Sequence, residues 1–321
     1  MTVSHAAGPP RLALEVWGHD YGRIAATADA ADALGLAALY YGESPGPLNL
    51  ETWTVLAALA ERTATLRIGP VIANLLPGYR SFPLFARQVH ALAAVSGGRL
   101  DLRTGTGAAS SFARPWWQPA GVDYPDRASR RDVLEEWLAA LHHLWSRPQA
   151  PFSGRHVRFE AGALGLDPPV ARPPITVAAT GPASMRIAAR HADVWEASYL
   201  TAAEFAALGR RFDGIAAGRT RPVLRSLEVD AVTAGTAADR RRLEQRFLAE
   251  RGPAGPAALA RALTGTGDEL AARLAAYRAA GADQLVIAAV DPHDRSTLEA
   301  LADAAARLGA DPPAAAPERA H

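Results

Sequence analysis

The chemistry open to this chain is limited by what it lacks, because its 321 residues include no cysteine and no lysine. Thiolate nucleophiles, disulfides, cysteine metal sites and protein-borne Schiff bases are thereby excluded. What remains is carboxylate, imidazole, guanidinium, hydroxyl and backbone amide. The run ITVAATGPAS, 175–184, reads as a strand, a glycine turn and a helix start. Unpaired N–H groups and the helix dipole favour an anion there, so Thr180, Gly181 and Ser184 are candidates for holding a phosphate, the alternative being an ordinary helix cap. Glu43 closes the apolar run YYG, where a carboxylate can orient a ligand, act as a general base, or simply be solvated. His19, just past Trp17, is a second candidate proton carrier, the alternative being a local hydrogen-bonding group. Arg80, after Tyr79, can bind an anionic substrate or pair with an acid. Gly105, Thr106 and Gly107 let backbone approach a ligand closely. Trp116 and Trp117 lie in a long loop and can close an apolar lid or pack on a rim. Neither a metal site nor a serine in a nucleophile elbow is expected, and His142 and His143 are adjacent on a helix, about 100° apart. A cofactor is therefore expected to carry the chemistry.

The elements that must position these residues alternate. Strands are expected at 12–17, 37–41, 66–74, 99–104, 175–179, 193–197, 224–232 and 285–290. Helices are expected at 23–34, 52–62, 81–95, 127–145, 183–191, 202–217, within 237–280 and at 294–308. Gly35 and Gly97-Gly98 read as helix stops. Strict alternation requires parallel strands with right-handed crossovers, and eight of them suit a closed (β/α)8 TIM barrel, with an open doubly wound sheet as the rival. One domain is expected over 1–309, with a lid-like segment at 105–126 on the catalytic face, a Pro/Gly-rich excursion at 147–174 on the opposite face, and a disordered tail at 310–321.

At 49% hydrophobic residues the chain can bury a large core, and its net charge of +1 is spread without a basic stripe, so neither nucleic acid nor a membrane is expected as partner. No stretch approaches the ~20 apolar residues of a membrane span, and the first ten residues lack a secretory signal. A cytoplasmic setting is expected.

Residues 68–107, IGPVIANLLPGYRSFPLFARQVHALAAVSGGRLDLRTGTG, resemble the bacterial luciferase-like superfamily of flavin monooxygenases and F-420-dependent oxidoreductases. The resemblance is carried by Pro77, Arg80, Ala86, Gln88, the Ser96 to Arg99 run and the glycines of the fourth strand, with further matches at 121–145, 172–195 and 263–287. It implies a cofactor phosphate on the turn at Thr180–Ser184. It also implies a bulge or cis peptide near Ala73-Asn74 that supports the ring, with Asn74 bonding a ring carbonyl, and a substrate pocket touching Trp17, Tyr79, Arg80, Trp116 and Trp117. Two departures weaken the family's proton-transfer set: Ser44 stands where a histidine is common, and Ala108 where some dehydrogenases carry an acid. The implied activity is oxidation of a small organic substrate by reduced FMN and oxygen, with a separate flavin or deazaflavin reductase. Hydride transfer by F-420, or a cofactor-free accessory barrel, are the alternatives. A homodimer or larger homo-oligomer is also implied.

Overall fold

In the computed structural model, which describes residues 9–46, 48–166 and 172–309, the apolar runs become strands and the amphipathic runs between them helices. The strands are β1 (Arg11–Val16), β2 (Ala38–Gly42), β3 (Arg67–Val71), β4 (Leu102–Gly105), β5 (Phe152–Ser153), β6 (Arg158–Phe159), β7 (Ile175–Ala178), β8 (Val194–Ser198), β9 (Leu224–Thr233), β10 (Leu263–Gly265) and β11 (Gln284–Ala289). The helices are α1 (Tyr21–Ala33), α2 (Thr52–Arg62), α3 (Phe82–Val95), α4 (Ser110–Trp117), α5 (Arg127–Ser146), α6 (Pro182–His191), α7 (Ala202–Ala216), α8 (Ala237–Arg251), α9 (Gly255–Leu259), α10 (Gly267–Ala279) and α11 (Arg295–Gly309).

Eight strands hydrogen-bond in the order β3-β2-β1-β11-β9-β8-β7-β4, every neighbour parallel, and β10 adds to the end of β9. Isolated bridges Ile68↔Leu100 and Ala73↔Thr104 join β3 to β4 and bring the two ends of the sheet together. A doubly wound sheet would reverse its strand order in the middle. Here the order follows the sequence around the ring, which is the TIM-barrel arrangement.

Alternation along each strand sorts the side chains. Leu14, Leu39, Ile68, Leu102, Ile175, Leu227 and Leu285 are buried in the main hydrophobic cluster with helix residues such as Ile24, Leu56 and Phe85. Residues one step along the strands, such as Ala13, Tyr40, Arg103, Glu196 and Ser226, are equally buried but belong to the barrel interior. Helix entries carry side-chain caps at Asp20, Glu51, Ser81, Asp126, Thr201 and Thr236, which fix where each crossover begins. Gly97 and Gly98 end α3 with φ of +60° and +84°, left-handed backbone that favours glycine.

One expectation needs correction, and two of the expected segments contain regular structure. The third strand stops at Val71 rather than running to 74, and a cis peptide joins Val71 to Ile72, two residues before the expected Ala73-Asn74. The segment 105–126 contains α4, and 147–174 contains the antiparallel pair β5–β6, whose turn is held by Glu136 accepting from His156 N at 2.6 Å and Val157 N at 2.7 Å. Among the described residues no helix is long and apolar enough to cross a membrane. The tail expected at 310–321 lies outside the described residues, as do 1–8 of the expected domain.

Candidate active site

A cavity of about 850 Å³ opens at the carboxyl ends of the barrel strands. Its walls come from β1, β2, the turn after β3, the loop after β4, α4, the start of α5, the β7–α6 turn, β8 and β9. Of the expected site residues, Trp17, Glu43, Asn74, Thr106, Trp116, Trp117, Thr180, Gly181 and Ser184 line it. His19, Ala73, Tyr79, Arg80 and Gly105 do not.

The wall at β2 and β3 is locked. Burial raises the Glu43 carboxyl above its ordinary range, while the adjacent Arg80 guanidinium and three hydrogen-bond donors oppose that shift. Arg80 pairs directly with Glu43 Oε1, the Trp53 indole donates to the same oxygen at 3.0 Å, and Asn74 N donates to Oε2 at 2.5 Å. Glu43 is thus a buried hub that fixes the turn after β3. Three donors hold its two oxygens, so in this structure the carboxylate orients the wall, although it also lines the cavity. Asn74 is spent likewise: its Nδ2 donates to Glu43 O at 3.0 Å and Ile72 O at 3.1 Å. Arg80 resolves to the pairing alternative, enclosed by the rings of Tyr79, Trp53 and Phe85 with its charge 5.1 to 5.9 Å from their centroids. Tyr79 packs edge-on against Trp117 at 5.0 Å, behind the cavity wall.

Two further corrections concern backbone. Ala73 is fully buried and donates to Arg103 O at 2.8 Å, so it ties β3 to β4 rather than facing a ligand. Gly105 is a glycine for packing: a Cβ there would lie 2.9 Å from Ile72 Cδ1. Close approach is instead provided at Gly107, with φ +71° and the Tyr124 hydroxyl 2.4 Å from where its Cβ would be. Arg130, 4% exposed, clamps this loop by donating to Thr106 O at 2.7 Å and Ala108 O at 3.0 Å. His19 is exposed and outside the cavity lining.

The turn between β7 and α6 presents an uncapped helix start. Gly181 is the N-cap with extended backbone and no side-chain cap, and Pro182 begins the helix. Ser184 Oγ donates to Gly181 O at 3.0 Å. Arg127 and Arg131, on the first turns of α5, line the same cavity and make no ion pair among the described residues. The sequence reading missed both arginines, although their place at the start of the predicted helix 127–145 was visible.

The lid is aromatic. Trp117 is buried between Tyr79 and Tyr124, whereas Trp116 and Phe112 are exposed and pack on each other at 4.7 Å. Trp17 lines the wall at β1 and donates from Nε1 to Glu15 Oε1 at 2.6 Å.

The floor is the part sequence reasoning did not anticipate. Glu15, Glu196 and Glu228 all line it, with the fully buried Arg103 donating to Glu196 Oε1 at 2.6 Å. Ser226 Oγ donates to the other Glu196 oxygen at 2.8 Å, and Gln284 and Tyr40 continue the network down to Asp101 and Arg67. The period-2 alternation at LEV, WEA and LEV was the available signal: it puts each acid on the face opposite its apolar neighbours. Among the described residues no group of three or more acids or histidines forms a metal-ligand set.

The sequence profile of the luciferase-like monooxygenase family matches residues 2–284. The chain is 31% identical over 180 residues to the F-420-dependent hydroxymycolic acid dehydrogenase of Mycobacterium tuberculosis, a match covering 54% of this chain and 48% of that protein. It is 29% identical over 147 residues to the pyrimidine monooxygenase RutA of Acinetobacter baylyi, covering 45% and 38%. The matches thus span about half or less of the length of these relatives. In fold it is similar to EDTA monooxygenase (EmoA) from Chelativorans sp. BNC1, with TM-score 0.78, 16% identity and 95% of each chain covered. It is also similar to an F-420-dependent secondary alcohol dehydrogenase, with TM-score 0.73, 11% identity and 92% and 98% covered. Barrel order, cavity position and profile agree, and the chain belongs to the luciferase-like monooxygenase family.

Proposed function

We propose that this protein is an oxidoreductase of small organic molecules whose cavity binds a flavin-type cofactor, with the cofactor phosphate on the α6 turn. The observation that carries the reading is the uncapped start of α6 facing a cavity of about 850 Å³ beside two arginines that make no ion pair among the described residues. That donor set fits a phosphate: backbone N–H groups, hydroxyls of Thr180 and Ser184, and the positive end of the dipole. The volume is within the range of sites that hold a cofactor-sized ligand. When bound, the cofactor supplies the electron pair for the reaction. The chain's own residues bind and orient it, and the Phe112, Trp116 and Trp117 rings exclude water from the reacting centre.

With FMN the reaction is monooxygenation: a separate reductase supplies the reduced flavin, and the aromatic lid supports this reading because oxygen chemistry on a flavin needs a dry site. With F-420 the reaction is hydride transfer, and Arg127 and Arg131 support it, since the F-420 side chain carries more anionic groups than the single phosphate of FMN. Parallel equilibrium titrations with FMN, riboflavin and F-420 separate them. FMN binding that is lost in riboflavin supports the first, tight F-420 binding with negligible FMN affinity supports the second, and binding of neither overturns the reading.

A further inference from the structure

The cavity floor holds more negative charge than its cation can balance. Glu15 from β1, Glu196 from β8 and Glu228 from β9 meet around Arg103 from β4. Arg103 donates to Glu196 at 2.6 Å, and Ser226 satisfies the other Glu196 oxygen, so the Glu196 charge is matched. Among the described residues Glu15 and Glu228 make no ion pair. The next acid along β9, Asp230, is paired with Arg251, and β11 offers Gln284, Val286 and Ala288 on this face. Arg103 is fully buried, yet its Nε and Nη1 make no hydrogen bond among the described residues, and neither does Glu15 Oε2. Two carboxylates that share a low-dielectric space do not both ionise at neutral pH. Burial first, then Glu15 and Glu196, push Glu228 up to about 8, and burial raises Glu15 as well.

The surroundings aim this group. Tyr199, just past β8, lines the cavity beside Glu228, and its N donates to Glu228 O at 2.8 Å. It adopts φ 57°, a conformation disfavoured for a tyrosine and held here by that hydrogen bond. A second pocket, about 330 Å³ and polar, lies on the other side of Glu15 and Trp17, which line both spaces. Arg23, Arg246, Asp291 and His293 lead from it outward.

We propose that Glu228 is a catalytic acid–base group of this site, giving a proton to an oxygen or nitrogen of the bound substrate and recovering it from solvent through Glu15 and the polar side pocket. The proposal rests on the oxidoreductase reading above. In the hydride-transfer reading, where F-420 would supply a hydride to the substrate carbon, the Glu228 O–H bond would break and an O–H or N–H bond would form on the substrate. The carboxylate left behind takes a proton from Glu15, which takes one from solvent. In the oxidative direction each move reverses. The site thereby acquires an acid on β9 in place of the histidine absent at Ser44 and the acid absent at Ala108.

The test begins with the protein alone. Infrared titration should show a carboxylic-acid C=O band at pH 7 that disappears near pH 8, is absent in Glu228→Gln, and titrates about one pH unit lower in Glu15→Gln, where a neighbouring charge is gone. In turnover, Glu228→Gln should lower kcat about 100-fold or more with KM little changed and should remove the pH limb near 8, while Glu228→Asp restores part of both. No acid band above pH 6, or a pH limb that survives in Glu228→Gln, overturns the proton role even if cofactor binds. Failure to bind either cofactor overturns the underlying reading and the catalytic role with it, and an intact band would then mark only a buried acid.

Discussion

Glu43 and Glu228 reach the same cavity from different walls, and the protein treats them differently. Glu43 faces one arginine, one indole and one backbone amide, each in fixed geometry. Glu228 shares a lumen with two other carboxylates and one arginine that is committed to Glu196. Burial raises both carboxyls, but at Glu43 an arginine, an indole and a backbone amide oppose it, whereas at Glu228 the Glu15 and Glu196 charges add to it. The comparison teaches that a buried carboxylate is structural when its surroundings match its charge, and a proton store when they do not.

Removing a partner should separate the two walls most clearly. Arg80→Met leaves Glu43 buried without a countercharge, and the expected loss is about 3–5 kcal/mol by urea denaturation at pH 7, largely recovered in the Arg80→Met/Glu43→Gln double variant. A loss below about 1 kcal/mol would mean that Glu43 accepts a proton as readily as Glu228, and the contrast would collapse.

The next effect has the opposite sign. Folded Glu228 keeps its proton up to about 8, whereas the unfolded chain releases it near 4.5. Between those values the native state binds the extra proton, so unfolding free energy falls as pH rises, by at most about 1.4 kcal/mol per unit. Glu228→Gln should therefore match the parent protein at pH 4 and exceed its stability at pH 9, by on the order of 2 kcal/mol after relaxation and water access. Equal stability at pH 9 would show that the carboxylate is comfortably ionised in the fold.

How far these walls were legible in sequence follows from how each is built. The barrel could be read because strand and helix periods are local, and the α6 turn because strand, glycine and helix start lie within ten residues. Trp17, Trp116 and Trp117 were placed at the cavity for the same reason. The Glu43 hub could not be read, because Arg80 is 37 residues away and its pairing depends on β2 and β3 being neighbours. Nor could the floor, since Glu15, Arg103, Glu196 and Glu228 come from four strands and meet only when the ring closes. Gly105 misled for a related reason: glycine suggests ligand approach, but here it admits Ile72 from the neighbouring turn.

The two walls touch at Trp17, and that junction offers a smaller perturbation. A Cβ on Gly42 would sit 2.2 Å from the Trp17 ring, which itself holds Glu15 Oε1. Gly42→Ala should destabilise by about 1–3 kcal/mol through overpacking. It should also displace the indole from Glu15, moving the infrared titration of the floor although Gly42 belongs to β2. An unchanged titration would show that the walls are independent.

The smallest stability change expected is a gain, at the cofactor end. Gly181 has φ −91° and ψ 152°, the extended backbone an N-cap residue uses, and lacks a side-chain acceptor for the first N–H groups of α6. Gly181→Asp supplies that acceptor, so the helix should gain a few tenths of a kcal/mol. The same carboxylate would occupy the donors assigned to a phosphate and repel its charge. Cofactor affinity should thus fall tenfold or more while thermal stability holds or rises, a pairing that general damage to the fold cannot produce. The Gly181→Asp/Ser184→Ala variant should fall somewhat further, since it also loses the hydroxyl. Should FMN and F-420 both bind Gly181→Asp as tightly as the parent, the anion is held elsewhere, and Arg127 and Arg131 become the residues to substitute next.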